Sequence, residues 1–542
     1  MRNFSKWKRT LALMLSVGMV ATMAGCGQDA NKETSVSKEE SKVVEVTPTP
    51  EAEKPKEPVV LEWYYRGNGQ QEDTEKVEAE VNKLLKEYPG LEHVSININC
   101  FTGSEYNQQI ILAQSSGAQM DIINSVSINF WDNVADGTWM PLNDYMSDEL
   151  KNELPQWLWD TVTKDGNIYM VPSYTSAFNS GYLFFPKAYL DKYGNEAEMR
   201  SILQDPNKSL KEKAACLEEY LYAVRKGEGD TKYLSGFENH LSYGANGYSF
   251  GDIYESLGAG FIIPYGETEV TTVWESDFYK EYAEIYADWF AKGIFSPDGI
   301  DTKGANYGGA HILDQTSYVY EILAGYGSEE YMAERQKGAN GGIEGVVIKI
   351  QYDDYIKREW TAGNGISSTC KHPEEAALFL EAITTGSEIG KKIYNTMVWG
   401  LEGEHYKWID KETERIETLE YSGLQGGTST TYAGLKWILG NTFHGYKNQY
   451  VTDDENQVAV DAMESPDTIS SPFAGFVLDN SAVQVNIDQI NAVLTEYKTI
   501  LQRGVAGADV EKTYSEFLDK LNVAGMQDVK AEYQKQLDAF LK

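Results

Sequence analysis

The chain has 542 residues, of which 42% are apolar, so it can fill two or three domains and is not a disordered protein. Its formal charge of −36, from 83 acidic and 47 basic residues, repels phosphate backbones and argues against nucleic acid as a partner. The same charge favours neutral or cationic ligands over anionic ones.

The first 25 residues predict an export signal. A basic start precedes an apolar run over residues 11–21, which is too short to predict a membrane span. The run ends in Met23-Ala24-Gly25-Cys26, which resembles a bacterial lipobox with Met in place of the usual Leu. Cys26 is therefore predicted to carry diacylglycerol and anchor the chain to the outer face of the cell membrane, where two acyl chains give stable attachment. The alternative is an ordinary signal peptide with a chance Cys.

Residues 26–58 predict a lipidated Cys and a disordered tether, because the segment lacks aromatic residues and is rich in Glu, Lys, Ser, Thr and Pro. The other cysteines, Cys100, Cys216 and Cys370, are odd in number and lack CxxC spacing. They are predicted to be buried free thiols. No metal site and no cofactor are predicted.

Residues 59–124 predict a parallel α/β sheet. Apolar patterns predict strands at 59–65, 94–100 and 120–124, and 3.6-residue spacing predicts helices at 77–88 and 102–114. Strand–helix alternation of this kind favours right-handed parallel crossovers. Ligands of such sheets lie beyond the carboxyl ends of the strands, so the loops that follow the three strands are candidate binding segments.

Later segments predict two passages between halves of the fold and further helices. The chain is predicted to cross after Pro172 and to return at 363–366. Helices are predicted at 201–223 and 278–291, from residue 371, and near the end at 480–501, 510–523 and 528–541, with a strand at 345–351.

Several of these segments, in this order, resemble the family 1 extracellular solute-binding proteins, the maltose-binding-protein group of ABC-transporter receptors. The matching stretches are Leu61-Glu62-Trp63-Tyr64, Asp121-Ile122-Ile123, Trp139-Met140-Pro141-Leu142, residues 165–172, residues 287–298 and His372-Pro373-Glu374-Glu375-Ala376. Residues 398–403 and 472–480 resemble a long-chain subfamily with an extra C-terminal domain of unassigned function. The sequence departs from the family pattern at residues 117–121, where Gly-Ala-Gln-Met-Asp replaces the usual Gly-x-x-Pro-Asp.

The resemblance implies a two-lobed periplasmic-binding-protein-like α/β fold, each lobe a mostly parallel sheet flanked by helices, with hinge crossings and a helical C-terminal end. On this basis residues 59–171 and about 303–366 are assigned to lobe 1. Residues 172–302 and about 367–542 are assigned to lobe 2. The resemblance also implies ABC permease subunits as partners.

Aromatic and polar residues near predicted strand ends and crossings are the candidate ligand-binding residues. A pyranose stacks its C–H face on a ring while its hydroxyls take hydrogen bonds, and the chain has 36 Tyr and 12 Trp against 18 Phe. The candidates are Trp63, Tyr65, Asn68, Asn124, Ser125, Tyr174, Tyr320, Glu321, Trp360, Asn364, Trp399 and Glu402. Each has a structural alternative: the tryptophans can belong to a core, Asn124 and Ser125 to a turn, and Glu321 to a solvated helix.

The sequence therefore predicts a monomeric lipoprotein that captures an extracellular solute by lobe closure. The predicted solute is an oligosaccharide, and the protein is predicted to catalyse no reaction. HExxH, GxSxG and GxxxxGK[ST] motifs are absent from the sequence. Three alternatives stay open: a receptor for a non-sugar solute such as a peptide, a surface glycoside hydrolase with two carboxylates about 5 to 10 Å apart, and a structural lipoprotein.

Overall fold

The computed structural model describes most of the chain from Lys56 to Lys542, which forms one compact unit. Within this range the description excludes residues 104, 127, 129, 177–179, 230–252, 295–317, 351–354, 357–361, 420–430, 450 and 474–475. The predicted export signal, Cys26 and the tether up to residue 55 lie outside the described residues.

The described strands follow in chain order. They are β1 (Val59–Arg66), β2 (Val94–Phe101), β3 (Ile122–Asn124), β4 (Thr163–Lys164), β5 (Asn167–Ile168), β6 (Val171–Pro172), β7 (Ser180–Pro186), β8 (Tyr254–Gly258), β9 (Phe261–Pro264), β10 (Thr271–Thr272), β11 (Tyr320–Gly325), β12 (Gly345–Lys349), β13 (Tyr355–Ile356), β14 (Gly363–Ile366), β15 (Tyr406–Asp410), β16 (Arg415–Thr418), β17 (Lys447–Asn448) and β18 (Ile469–Ser470).

The described α-helices also follow in chain order. They are α1 (Thr74–Leu85), α2 (Tyr106–Ser116), α3 (Phe130–Ala135), α4 (Asp148–Glu153), α5 (Gln156–Asp160), α6 (Lys187–Tyr193), α7 (Glu196–Leu203), α8 (Leu210–Glu228), α9 (Asp277–Ala291), α10 (Glu329–Ala339), α11 (Pro373–Thr384), α12 (Glu388–Trp399), α13 (Lys436–Leu439), α14 (Glu455–Met463), α15 (Gln484–Gln502), α16 (Val510–Val523) and α17 (Met526–Phe540). Single 3₁₀ turns occur at Val273–Glu275, Thr442–His444 and Gly507–Asp509.

The sheet of the first lobe has the order β2-β1-β3-β14-β6. Strand β1 is parallel to β2 and β3, and β14 is antiparallel to β3 and β6. The predicted strand–helix–strand–helix–strand unit is confirmed, because alternating burial along β1 and the 3.6-residue spacing of α1 are local signals.

Side chains of α1 protect the outer edge of β2. Asn82 exchanges two hydrogen bonds with the backbone of Ile96, at 2.7 and 2.9 Å, and Ile98 N–H donates to the Glu78 carboxylate at 2.6 Å. Unpaired strand edges otherwise invite pairing with other chains. The helix therefore both covers the sheet and closes its edge.

The second lobe contains two antiparallel three-stranded sheets, β11-β7-β12 and β10-β9-β8. The prediction of a mostly parallel sheet describes the first lobe but not this one. The parallel pattern was inferred from residues 59–124, whereas β11 and β12 both run opposite to β7.

Buried apolar residues form two large clusters. The first contains residues 59–174, 362–463 and Tyr326, and the second contains residues 183–294, 318–350 and 473–537. A small third cluster lies around Tyr182 and Phe184 of β7. These clusters differ from the predicted lobe boundaries in two places. Residues 318–350 pack with the second lobe, because β11 and β12 pair with β7, and residues 367–463 pack with the first.

Between the described residues of the two clusters the chain passes at three places: between residues 174 and 180, between 350 and 362, and between 463 and 473. The second and third passages pair with each other, because β13 lies parallel to β18 with Tyr355 opposite Ile469. The lobes are thus joined by three passages, two of which are bonded to each other.

The helix predicted over 201–223 is divided in the structure into α7 and α8. Pro206 lies between them, and proline lacks the N–H that a continuous helix requires. Ser209 then begins α8 with a capping box that includes Glu212. Among the described residues, no helix is long and apolar enough to cross a membrane.

Candidate functional site

The carboxyl ends of β1, β2 and β3 form one edge of the first sheet. The strands end at Arg66, Phe101 and Asn124, and because they are parallel their following loops meet at this edge. In open α/β sheets this edge is where ligands lie. We therefore take it as the candidate ligand site.

A buried hydrogen-bond network underlies this edge. Trp63 Nε1 donates to Asn364 Oδ1 at 3.1 Å, and Asn124 Nδ2 contacts the same oxygen at 3.2 Å. The three side chains are at most 2% exposed. Three predicted site residues, from two strands and the return segment, are thus brought together in the core.

The same two amides hold the short helix α13. Asn124 Nδ2 donates to the Ile438 carbonyl at 3.1 Å, and Asn364 Nδ2 donates to that carbonyl at 3.2 Å and to Leu439 at 3.4 Å. The last carbonyls of a helix have no partner within the helix, so these amides satisfy them. Asn124 and Asn364 therefore position α13, and ligand contact by either stays a prediction.

The loop before α13 is fixed to the loop after β1. Gln71 and the backbone of Ala433 exchange two hydrogen bonds of 2.9 Å, and Asn68 Nδ2 donates to the Ala433 carbonyl at 2.9 Å. Asn68 itself is exposed at the edge. Residues more than 360 positions apart therefore build one continuous surface.

Helix α13 presents Trp437 at this surface. Trp437 is half-buried, and the Arg66 guanidinium lies over its ring with the Cζ atom 5.3 Å from the ring centroid. Gly103, from the loop after β2, lies on the same guanidinium, since a Cβ at this position would be 3.0 Å from Arg66 Nε. The site thus presents an indole and a guanidinium on rigid supports.

Tyr65 belongs to a buried cluster behind the edge. It is hydrogen-bonded with Cys100 and Tyr432, and burial together with these neighbours raises its pKa. Burial raises the pKa of the Cys100 thiol to about 11. The three cysteines other than Cys26 are free, but only Cys100 is buried, while Cys216 and Cys370 are half-buried.

Tyr174 lies at the first passage between the lobes and next to α13. Its N–H donates to the Gly440 carbonyl at 3.0 Å, and its ring packs against Phe443 with centroids 4.7 Å apart. Burial raises the pKa of its phenol to about 12. Ser125 is fully buried, and its N–H donates to the Gly363 carbonyl at 2.9 Å.

Trp399 and Glu402 share no hydrogen bond with the residues of this edge among those described. Trp399, the last residue of α12, is 6% exposed in the first core, and its Nε1 has no hydrogen-bond partner among the described residues. Glu402 is exposed and pairs with Lys411 at 3.3 Å.

Three predicted residues cannot be assigned contacts. Tyr320 and Glu321 begin β11, opposite Phe184 and Leu183 of β7, but their side chains are not described. Trp360 lies outside the described residues. Among the residues that are described, no group of three His, Cys, Asp or Glu could hold a metal ion.

Sequence reasoning missed Arg66 and Trp437. Arg66 carried a usable signal, because it ends a predicted strand directly before Gly67. Trp437 carried none, since its place at the edge depends on Asn124 and Asn364, which lie 313 and 73 positions before it.

Comparison with known proteins agrees with this fold. The family described as "Domain of unknown function (DUF3502)" matches residues 472–542. No curated protein matches the sequence. Three solved structures are similar over 90% of this chain and 99% of theirs. They are the N-glycan transport solute-binding protein NgtS of Streptococcus pneumoniae (22% identity, TM-score 0.70), the S. pneumoniae ABC-transporter substrate-binding protein FusA with fructo-nystose (15%, 0.56) and a Bifidobacterium longum infantis protein that binds HMO (14%, 0.55).

The chain thus has the two-lobed fold of ABC-transporter solute-binding proteins, and the predicted fold class is confirmed. The resemblance seen in the sequence is confirmed at the level of the fold.

Proposed function

We propose that this protein is the substrate-binding component of an ABC importer and that it captures an extracellular oligosaccharide by lobe closure. The bound sugar would then be delivered to permease subunits. Similar structures support the proposal, because they are named for N-glycan transport, for binding fructo-nystose and for binding HMO. In this role the protein binds its solute without breaking any covalent bond of it.

The observation that carries the proposal is the Arg66–Trp437 pair at the carboxyl edge of the first sheet. An aromatic ring beside fixed hydrogen-bond donors suits a sugar, which offers both an apolar face and hydroxyl groups. The edge is supported by the buried amides of Asn124 and Asn364, which hold α13, and by the indole of Trp63, which donates to Asn364. A binding site on such a support needs little rearrangement to receive a ligand.

Attachment to the membrane is part of the proposal and rests on the sequence. Cys26 would carry the lipid, and residues 27–58 would hold the body on the order of 30 Å from the membrane by flexible-chain scaling. The protein would act as a monomer on the outer face of the cell membrane.

Calorimetry and thermal shift on the chain from residue 27 onward would test the function. We expect binding to at least one member of a panel of mono- and oligosaccharides, and none to a peptide panel. A ligand at 100 times its dissociation constant should add about 2.7 kcal/mol to the free energy of unfolding. Release of cleaved product from a labelled oligosaccharide, lost on replacing one carboxylate, would instead show a hydrolase.

Trp437→Ala should weaken this sugar binding while the protein stays folded. Trp408→Ala is the matched control, because Trp408 is also half-buried under a cation, with Lys411 Nζ 5.6 Å from its ring centroid, but lies on β15. If Trp408→Ala alone lost affinity, the sugar would bind beside Trp408 instead, near Lys411 and its partner Glu402.

A further inference from the structure

Arg66 has an unusual electrostatic position for this acidic chain. The described arginines 200, 335 and 415 pair with carboxylates, and Arg225 donates to the Gly293 carbonyl. Arg66 contacts the ring of Trp437, but it makes no ion pair or hydrogen bond with any described residue, and its Nε is buried. A permanent charge with five donors is therefore held without an acceptor among the described residues.

Two carboxylates on the elements that carry Arg66 and Gly103 have other hydrogen-bond partners. Glu62 lies on the same face of β1 as Arg66, but it accepts hydrogen bonds from Asn97 and Asn99 at 2.7 and 2.8 Å. Glu105 follows Gly103 in the loop and accepts from Thr102 at 2.8 Å. The guanidinium of Arg66 is thus available to bind an anionic group of a ligand.

The support of Arg66 limits how it can move. Trp437 and Gly103 both lie on the guanidinium, and the buried amides fix the helix that carries Trp437. An arginine held in this way loses little further conformational entropy when it binds a ligand. Its planar fork fits a carboxylate with two parallel hydrogen bonds.

We propose that Arg66 is the recognition point for an acidic sugar residue, so that the solute is an oligosaccharide bearing a carboxylate, as in uronic or sialic acids. This inference rests on the proposed function and names its substrate class. The ring of Trp437 positions the guanidinium, and the guanidinium binds the carboxylate.

The overall charge of −36 opposes an anionic ligand only at a distance. Exposed charges are largely screened beyond about 8 Å at physiological ionic strength, whereas a carboxylate on the guanidinium is in direct contact. The local interaction therefore decides the affinity, and the global charge lowers the rate of encounter.

The test measures two matched pairs of ligands by calorimetry: an oligouronate with its carboxyl-reduced form, and a sialylated oligosaccharide with its desialylated form. We expect the wild-type protein to bind at least one acidic form about tenfold or more tightly than its neutral partner. Arg66→Gln should remove this preference, so that the variant binds the acidic and the neutral form of each pair with equal affinity. Arg66→Lys should keep part of it, because the charge remains but the fork is lost.

Lys86→Gln is the control for loss of one positive charge, since Lys86 is exposed after α1, and it should keep the full preference. Unfolding midpoints would confirm that each variant is folded. Equal affinity of the wild type for acidic and neutral forms overturns the inference but leaves the proposed function intact. Binding of no glycan at all overturns both, and tight binding of sulfated glycans only would overturn the choice of a carboxylate.

Discussion

Trp399 illustrates how burial decides what an aromatic side chain can do. It was one of the aromatic candidates for sugar stacking, but the side chain ends α12 inside the first core. Only 6% of it is exposed, so little of the ring is available to a ligand. The half-buried Trp437 is the better platform, although both rings lie in the same lobe.

Replacing Trp399 by alanine should therefore lower stability. A large buried ring leaves a cavity, and we expect a loss of about 3 to 5 kcal/mol in the free energy of unfolding, measured with urea. Trp399→Phe should cost less, because it keeps most of the ring and removes an N–H that has no partner among the described residues. An unchanged free energy with lost sugar affinity would return Trp399 to the binding site.

Elements that could be predicted are those whose signals are local. Alternation along β1 and the spacing of α1 are set by residues within one strand or one helix. The placement of β11 and β12 beside β7 joins residues more than 130 positions apart, and no pattern within any one strand shows that pairing. Asn124 was found as a strand-end residue and Asn364 as part of the predicted return segment, but their role in holding α13 was not found.

Helix α14 of the first cluster contacts α10 of the second lobe through the buried carboxylate of Glu455. Glu455 Oε1 accepts from Tyr326 at 3.2 Å and from Arg335 Nε at 3.4 Å, and the residue is 5% exposed. Burial alone would raise the pKa of Glu455, but Lys436, Arg335 and the hydrogen bond from Tyr326 hold it below its ordinary value. The contact therefore depends on the ionised carboxylate.

Glu455→Gln should destabilise the protein at pH 7 by about 3 to 5 kcal/mol, because it leaves a half-buried arginine without its anion. A carboxylate whose pKa is lower in the folded state than in the unfolded state stabilises the fold at pH values above its unfolded-state pKa. This stabilisation is lost as the pH falls through the folded-state pKa. The gap between wild type and variant should thus shrink in urea titrations as the pH falls below the ordinary pKa of a glutamate, about 4.3. Glu80→Gln, which breaks the exposed pair with Lys83, should cost less than about 1 kcal/mol, and a gap that stays constant with pH would assign the loss to packing.

At the scale of the whole molecule, the three passages between the clusters define how the lobes could move. The second and third passages are tied by the β13–β18 pair, so a hinge there would bend as a unit. Hinge closure around a ligand needs only a few residues that change their backbone angles, and it makes the molecule more compact. The contact of Glu455 with Arg335 joins α14 of the first cluster to α10 of the second lobe and constrains the same motion.

Small-angle scattering should show this closure. We expect the radius of gyration of the wild type to fall when a saturating oligosaccharide is added, because a ligand that contacts both lobes stabilises the closed form. Trp437→Ala at the same sugar concentration should stay extended, whereas the matched Trp408→Ala should close, which separates loss of binding from loss of motion. A wild-type radius that stays constant while calorimetry shows tight binding would mean that one lobe binds the sugar alone, and capture by closure would then be wrong.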